Sequence, residues 1–224
     1  MRYDLSAVLD VFLKLTTLRS KLNGTVLLMD TIKLLYLIRQ DHEDKKTSYI
    51  DAHRLRVQMH KTAVDSAMLR AEEAGFIRIY KESPCRKYAN LTQYGRIWLD
   101  TVLNKQLAVA DLLYICDQTE MIKTWTALKT STISVMWFCG LLLAKEYERD
   151  GKLFYNRIAA ELLGLGDNAS RQFIAYGRAN HLFSEKMTQI RVGDVDTRIT
   201  RILLSQKGHD LVDLVLYKNS KAPG

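Results

Sequence analysis

Between Asn168 and Ala179 one helical face gathers residues able to read hydrogen-bonding edges. At about 100° per residue, Asn168, Arg171, Gln172, Ala175 and Ala179 share a side, with Tyr176 and Arg178 on the flanks and Phe173, Ile174 and Gly177 opposite. A guanidinium presents two parallel N–H donors that match guanine O6 and N7; the amides of Asn and Gln match adenine N6 and N7. Ser170 adds a hydroxyl near the start of this helix, and the two alanines leave room for close approach. Such a face suits the major groove of duplex DNA. The plain alternative is a solvated polar face, but cations in the segment that follows, Arg191 and Arg198 among them, favour a polyanion.

Residues 61–73 carry different chemistry. Ala67, Met68 and Ala71 point inward, and the outer side holds Thr62, Asp65, Ser66, Leu69 and Glu73, with Arg70 and Glu72 beside it. Carboxylates repel phosphates, and an acid accepts only from cytosine N4. This helix is expected to read DNA poorly, although Arg54, Arg56, Lys61, Lys81, Arg86 and Lys87 around it can grip a phosphate backbone. Catalytic motifs do not occur: there is no G-x-x-x-x-G-K-[ST], no H-E-x-x-H and no recognisable triad. His53 and His60 come without nameable co-ligands, and the charged loop from Asp41 to Lys46 reads as solvated. Cys85, Cys116 and Cys139 form no C-x-x-C, which fits a reducing compartment without disulfides or a zinc site. No catalytic residue, metal, cofactor or enzymatic activity is expected.

Two similar sets of elements must position these faces. Residues 155–163 read as a helix, 164–167 as a turn, 168 to about 180 as a second helix, and 183–204 as a long two-stranded hairpin. A looser copy runs from Ser48 to Gly95. It has a helix over 50–59, then a helix opened by Lys61 and Thr62, with Thr62 as N-cap, and stopped at Ala74-Gly75. A strand over 76–80, a turn at Ser83-Pro84 and a strand over 88–91 complete it. Gly95 and Gly208 close the hairpins, 208 − 95 = 113 apart, while Gly75 matches His181, 181 − 75 = 106 apart. The 7-residue difference is extra length in the second hairpin. Helix, turn, helix and hairpin in this order describe a winged helix.

The remaining segments read as helices: 4–21, stopped by Asn23-Gly24; 25–40; a stripe from Ile97 to Tyr114; and 121–149. The last holds the run 133–144, apolar all round and therefore expected to be buried on every side. That run is shorter than the roughly 20 residues of a membrane span, and Lys129 and Lys145 bracket it. Asp4 and Asp10 interrupt the first apolar helix, so it does not read as a signal peptide. Of 224 residues, 47% are apolar and 26% charged, with two prolines and 11 glycines, which fits one or two globular domains without a long disordered linker. The net charge of +8 fits a nucleic-acid partner. A cytoplasmic, nucleoid-associated protein with no membrane partner is expected.

The second hairpin, Gly193-Asp194-Val195-Asp196-Thr197-Arg198-Ile199-Thr200-Arg201-Ile202-Leu203-Leu204-Ser205-Gln206-Lys207-Gly208, resembles the wing of MarR-type winged-helix regulators. In that family an Asp-x-Arg at the wing tip precedes a strand and then Leu-Thr-x-x-Gly at the start of a helix. Asp196-Thr197-Arg198 and Leu204-Ser205-Gln206-Lys207-Gly208 stand in those places, and the first copy has Leu91-Thr92-Gln93-Tyr94-Gly95 and Glu73-Ala74-Gly75-Phe76-Ile77. The first copy lacks the Asp-x-Arg, with Arg86-Lys87 in its place. The resemblance covers about 90 residues in two blocks. It implies DNA binding, with the second helix in the major groove and the wing arginine near the backbone or minor groove. The family usually has one such unit per chain, whereas two are read here, as in plasmid replication initiators and the accessory subunits of bacterial condensins.

The expected architecture is mainly α: two winged helix-turn-helix units, each with a small β-hairpin wing, joined by long central helices. Residues 1–110 form the N-terminal unit with flanking helices, and 111–224 the central helix plus the C-terminal unit. The expected function is that of a sequence-specific double-stranded DNA-binding transcription regulator. Contacts are expected from Asn168, Ser170, Arg171, Gln172, Tyr176, Arg178, Arg191 and Arg198, and from Arg54, Lys61, Thr62, Arg70, Arg86 and Lys87 in the first unit. A replication initiator or partition-type DNA binder is the nearest alternative, and a condensin-accessory protein-interaction subunit is the alternative of a different class. The apolar central helices allow a homodimer, and no small-molecule effector is legible.

Overall fold

The structure, a computed structural model, describes residues 2–17, 29–57, 60–103, 107–126, 134–192 and 195–217. The expected stop at Asn23-Gly24, the helix start at Thr25, Met59, Lys129, Ile133 and the Gly193-Asp194 tip lie outside the described residues. The fold is mainly helical, with two separate two-stranded antiparallel sheets. The order is α1 (Leu5–Thr16), α2 (Met29–Glu43), α3 (Ile50–Val57), α4 (Lys61–Glu73), β1 (Ile77–Ser83), β2 (Arg86–Leu91), α5 (Gln93–Val102) and α6 (Val109–Thr126). There follow α7 (Val135–Arg149), α8 (Asn156–Leu163), α9 (Asp167–Ala179), β3 (Phe183–Val192), β4 (Val195–Leu204) and α10 (Gln206–Leu216). Among the described residues no helix is long and apolar enough to cross a membrane.

The helix starts repeat with one spacing. For α2 and α7, α3 and α8, α4 and α9, and β1 and β3, the differences 135 − 29, 156 − 50, 167 − 61 and 183 − 77 all equal 106. Beyond the longer second hairpin, α5 and α10 start 206 − 93 = 113 apart. The match extends to contacts. The backbone N–H of Ala89 donates to Ser48 O at 3.0 Å, and that of Ile202 donates to Phe154 O at 2.7 Å, so the residue just before α3 or α8 forms an isolated bridge to the return strand of each hairpin. Arg39 on α2 pairs with Asp100 on α5 at 2.6 Å, and Lys145 on α7 with Asp213 on α10 at 3.0 Å. Both partners sit at equivalent places, 145 − 39 = 106 and 213 − 100 = 113.

The closure of each hairpin repeats too. Thr92 Oγ1 donates to Gly75 O at 2.6 Å and accepts from Gly95 N at 2.9 Å; Ser205 Oγ donates to His181 O at 2.5 Å and accepts from Gly208 N at 3.1 Å. Gly75 and His181 both have positive φ, 78° and 58°. A Cβ on Gly95 would lie 2.1 Å from Phe76 O, and one on Gly208 2.4 Å from Leu182 O, so only glycine lets the next helix start against the strand.

Several sequence-based boundaries change. The contacts divide the chain into Lys14–Glu120 with Thr132–Val135, and Met1–Leu13 with Met121–Ser131 and Met136–Gly224. The expected cut at 110/111 is therefore displaced: most of α1 belongs with the C-terminal elements. Phe12 packs edge-on to Phe138 at 4.9 Å, Ser6 donates to Glu146 at 2.7 Å, and Tyr3 N donates to Leu216 O at 2.8 Å. The single helix expected over 121–149 is two elements, α6 and α7, and the stripe from Ile97 to Tyr114 is broken between Val102 and Val109. Leu103 takes an extended conformation there; periodicity cannot register a break when apolar residues resume beyond it. Ile97 itself is 54% exposed. The run within α7 is buried at Val135, Phe138, Cys139 and Leu141 through Ala144, but Met136 and Trp137 are only half-buried, so it is not covered on every side as expected. Thr62 is not the N-cap of α4: His60 is, in extended conformation, with its Nδ1 2.9 Å from Thr62 Oγ1.

The two repeats differ in one buried cluster. In the first, His53 Nε2 lies within hydrogen-bonding reach of Ser48 Oγ and 3.1 Å from Asp41 Oδ2. The carboxylate requires the proton on Nε2, which leaves buried Nδ1 without a partner. The equivalent residues of the second repeat are Phe154, Ala159 and Tyr147, and there Tyr147 packs on Phe154 at 5.5 Å. Burial, opposed by Asp41 and reinforced by Arg56, lowers the His53 pKa below its ordinary 6.5. The unfolded chain then binds a proton more tightly, so this contribution to stability is present above pH 6.5 and is lost as pH falls through 6.5 toward the folded value. His53→Ala should flatten the pH dependence of unfolding of the N-terminal unit below pH 6.5. Parallel pH profiles for variant and parent in denaturant titrations would contradict this.

Candidate nucleic-acid interface

Two aromatic rings seated in glycine notches hold α9 in place. A Cβ on Gly140 of α7 would lie 2.1 Å from the Phe173 ring, and one on Gly177 of α9 would lie 2.1 Å from the Phe183 ring. Phe173 and Phe183 meet at 5.4 Å, and Trp137 packs edge-on to Phe173 and Tyr176. These contacts bury Phe173, Ile174 and Gly177 and turn Asn168, Arg171, Gln172, Ala175, Arg178 and Ala179 to the outside. The expected face is therefore assembled. Tyr176 is half-buried on its flank against Trp137.

Ser170 is a correction: it is fully buried, and its Oγ lies 2.7 Å from Asn156 Oδ1 and 3.0 Å from Asn156 O. It fixes the start of α9 to α8 and faces no outside partner. Amphipathic spacing alone placed it near the outer edge, whereas the hydroxyl is small enough to be buried once hydrogen-bonded. Arg178 pairs with Glu185 at 2.8 Å on the surface. Such exposed pairs contribute little net stability, so the pairing does not hold its guanidinium strongly to Glu185.

β3 and β4 pair in regular register from Phe183 with Leu204 to Val192 with Val195. Directly opposed residues share a face. One face begins with buried Phe183, Leu204 and Ile202 against α9 and continues outward through exposed Met187 and Thr200, Gln189 and Arg198, then Arg191 and Asp196. Arg191 and Arg198 are thus together on the side of the hairpin that packs on α9. Sequence reasoning missed Gln189, whose strand alternation was the available signal. It also missed the opposite-face pair Lys186 and Arg201.

The candidates of the first unit do not form a comparable set. Arg54 is half-buried on α3; Lys61 and Thr62 are exposed at the start of α4; Arg70 is half-buried. Arg86 pairs with Glu82 at 3.3 Å and lies over the Tyr49 ring at 4.2 Å, while Lys87, opposite Lys81, is on the other face of the hairpin. At the positions of Asn168, Arg171, Gln172, Ala175 and Ala179, α4 carries Thr62, Asp65, Ser66, Leu69 and Glu73. Leu69 is 53% exposed. Glu72, equivalent to Arg178, accepts from Ile79 N at 2.7 Å and so fastens β1 to α4.

The seating of α9 is testable by volume. Where the second repeat has Gly177 against Phe183, the first has Ala71 and Ile77. Gly177→Ala should destabilise the C-terminal unit by about 1–3 kcal/mol through overpacking, and Phe183→Ile should recover part of that loss in the double variant. Strictly additive effects in chemical denaturation would refute the notch. In comparisons with known proteins, no protein family, curated protein or solved structure matches the chain.

Proposed function

We propose that the chain is a sequence-specific double-stranded DNA-binding protein, built from two winged helix-turn-helix units, that regulates transcription on the nucleoid in the cytoplasm. The observation that supports this reading is the open face of α9. Asn168, Arg171 and Gln172 stand together on it, two alanines leave the approach clear, and Arg191 and Arg198 lie on the adjoining hairpin. In this reading α9 enters the major groove, Arg171 donates to a guanine and Gln172 and Asn168 pair with adenines. The hairpin follows the backbone or enters the minor groove, where its arginines neutralise phosphate.

The two repeats then have unequal parts. Asp65, Leu69 and Glu73 occupy the places of Arg171, Ala175 and Ala179, which favours a role for the first unit other than reading duplex bases. The protein-interaction reading draws on the same substitution and applies to that unit.

The test is titration of labelled duplex selected from a random pool. Arg171→Ala should cost about 1–3 kcal/mol of specific binding and relax the preference at one base, while Asp65→Ala should change little. Affinity should fall steeply with salt. Selected binding indifferent to Arg171→Ala, or no binding to any duplex at low salt, would remove the proposal.

A further inference from the structure

The exposed face of the first hairpin carries a side-chain set that the duplex reader does not use. Tyr49, Tyr88 and Tyr80 lie abreast, because Tyr49 bridges to Tyr88 and Tyr88 is opposite Tyr80. Tyr80 and Tyr88 stack at 5.1 Å with planes 14° apart; Tyr49 meets Tyr88 edge-on at 6.4 Å, and Arg86 lies over Tyr49. On the next rung Arg78 is opposite Asn90, on the same face. Beside the column is a surface pocket of about 290 Å³ lined by Arg78, Tyr80, Asn90, Leu91, Thr92 and Gln93.

The polar groups of this pocket are largely unspent. Thr92 is committed to the hairpin closure. The side chains of Arg78, Asn90 and Gln93 make no hydrogen bond or ion pair among the described residues. Tyr80 is 39% exposed. The fold does not require these residues: at the positions of Arg78, Tyr80, Tyr88 and Asn90 the second repeat has Ser184, Lys186, Arg201 and Leu203, with the same strand pairing. An exposed ring, two free amides and a free guanidinium around a small pocket match the parts of a nucleotide. The ring offers a stacking surface, the amides offer donors and acceptors for a base edge, and the guanidinium takes a phosphate. A base inside a duplex has both faces covered, so the ring selects an unpaired one.

We propose that this pocket binds an unpaired nucleotide of single-stranded nucleic acid, with its base on Tyr80 and its phosphate on Arg78. The site is separate from α9 and goes beyond the duplex-binding reading. The shared chemistry, a base beside a phosphate, also belongs to a free nucleotide, and the two sources are separated by competition.

The experiment uses the full chain, a labelled single-stranded oligonucleotide of mixed sequence, the labelled duplex, and adenosine monophosphate as competitor. Tyr80→Ala and Arg78→Ala should each weaken single-strand binding at least about fivefold and leave duplex binding unchanged; Tyr80→Phe should retain it. Arg78→Ala is outside the tyrosine stack and covers the case in which Tyr80→Ala disturbs the hairpin. Displacement by the mononucleotide assigns the pocket to a single nucleotide, and resistance assigns it to a strand. No single-strand binding, or binding indifferent to both alanine variants, would overturn the proposal whatever the duplex result. Single-strand binding lost with Arg171→Ala alone would also overturn it. Failure of the duplex reading would instead appear as Arg171-independent duplex binding, with the Tyr80 effect intact.

Discussion

One hydroxyl group in each repeat ties three elements together. Thr92 and Ser205 each donate to the carbonyl of a left-handed residue that ends a helix, and each accepts from the glycine N–H in the first turn of the next. The same residue's backbone N–H donates to Phe76 O or Leu182 O. The end of α4 or α9, the return strand and the start of α5 or α10 therefore converge on one side chain. The glycine three positions later is obligatory, because a Cβ would overlap a carbonyl that is already hydrogen-bonded. Once this junction is set, the outward face of α4 or α9 and the direction of the hairpin are both constrained.

On that shared frame the two repeats carry different chemistry. The cation-to-aspartate pair between the long helix and the helix after the hairpin is kept, as Arg39–Asp100 and Lys145–Asp213. The outer positions are not kept. Arg171 becomes Asp65, Ala175 becomes Leu69 and Arg178 becomes Glu72; on the hairpin, Lys186 and Arg201 become Tyr80 and Tyr88. Each exchange trades a cation or a small residue for an acid or a large hydrophobic or aromatic side chain. A duplex presents phosphates and groove edges, so the second repeat has the matching charge. The first lacks it on α4 and has an aromatic surface on its hairpin. On the proposed reading, this difference divides the work between the two repeats and makes two equivalent half-sites a poor description of the target.

Much of this was legible in the sequence because it rests on local rules. The glycines at 95 and 208, the matched stops at Gly75 and His181 and the 3.6-residue period of α9 each act over a few residues, and all are found where local chemistry puts them. What was not legible depends on partners distant in the chain. Ser170 reads as a surface hydroxyl until Asn156 is placed beside it. Ile97 reads as a core residue until α5 is seen to turn Gly95, Leu99 and Val102 inward and leave it exposed. The pocket beside Tyr80 needs β1, β2 and the start of α5 together; strand alternation could align Arg78 with Tyr80 but could not bring Gln93 to them.

The placement of α1 follows the same logic at longer range. The first repeat is continued by α6, which lies within the same compact unit up to Glu120. The second is accompanied instead by α1, from the other end of the sequence. Tyr3 N donates to Leu216 O, Arg2 bridges to Tyr217 and pairs with Asp213, and Phe12 packs on Phe138. Phe138 is next to Trp137, whose ring meets Phe173 and Tyr176 of α9. The support of the proposed reading helix therefore runs through residues more than 150 positions away in sequence (173 − 12 = 161). The core of the second unit is thus assembled from two stretches of chain separated by all of the first repeat.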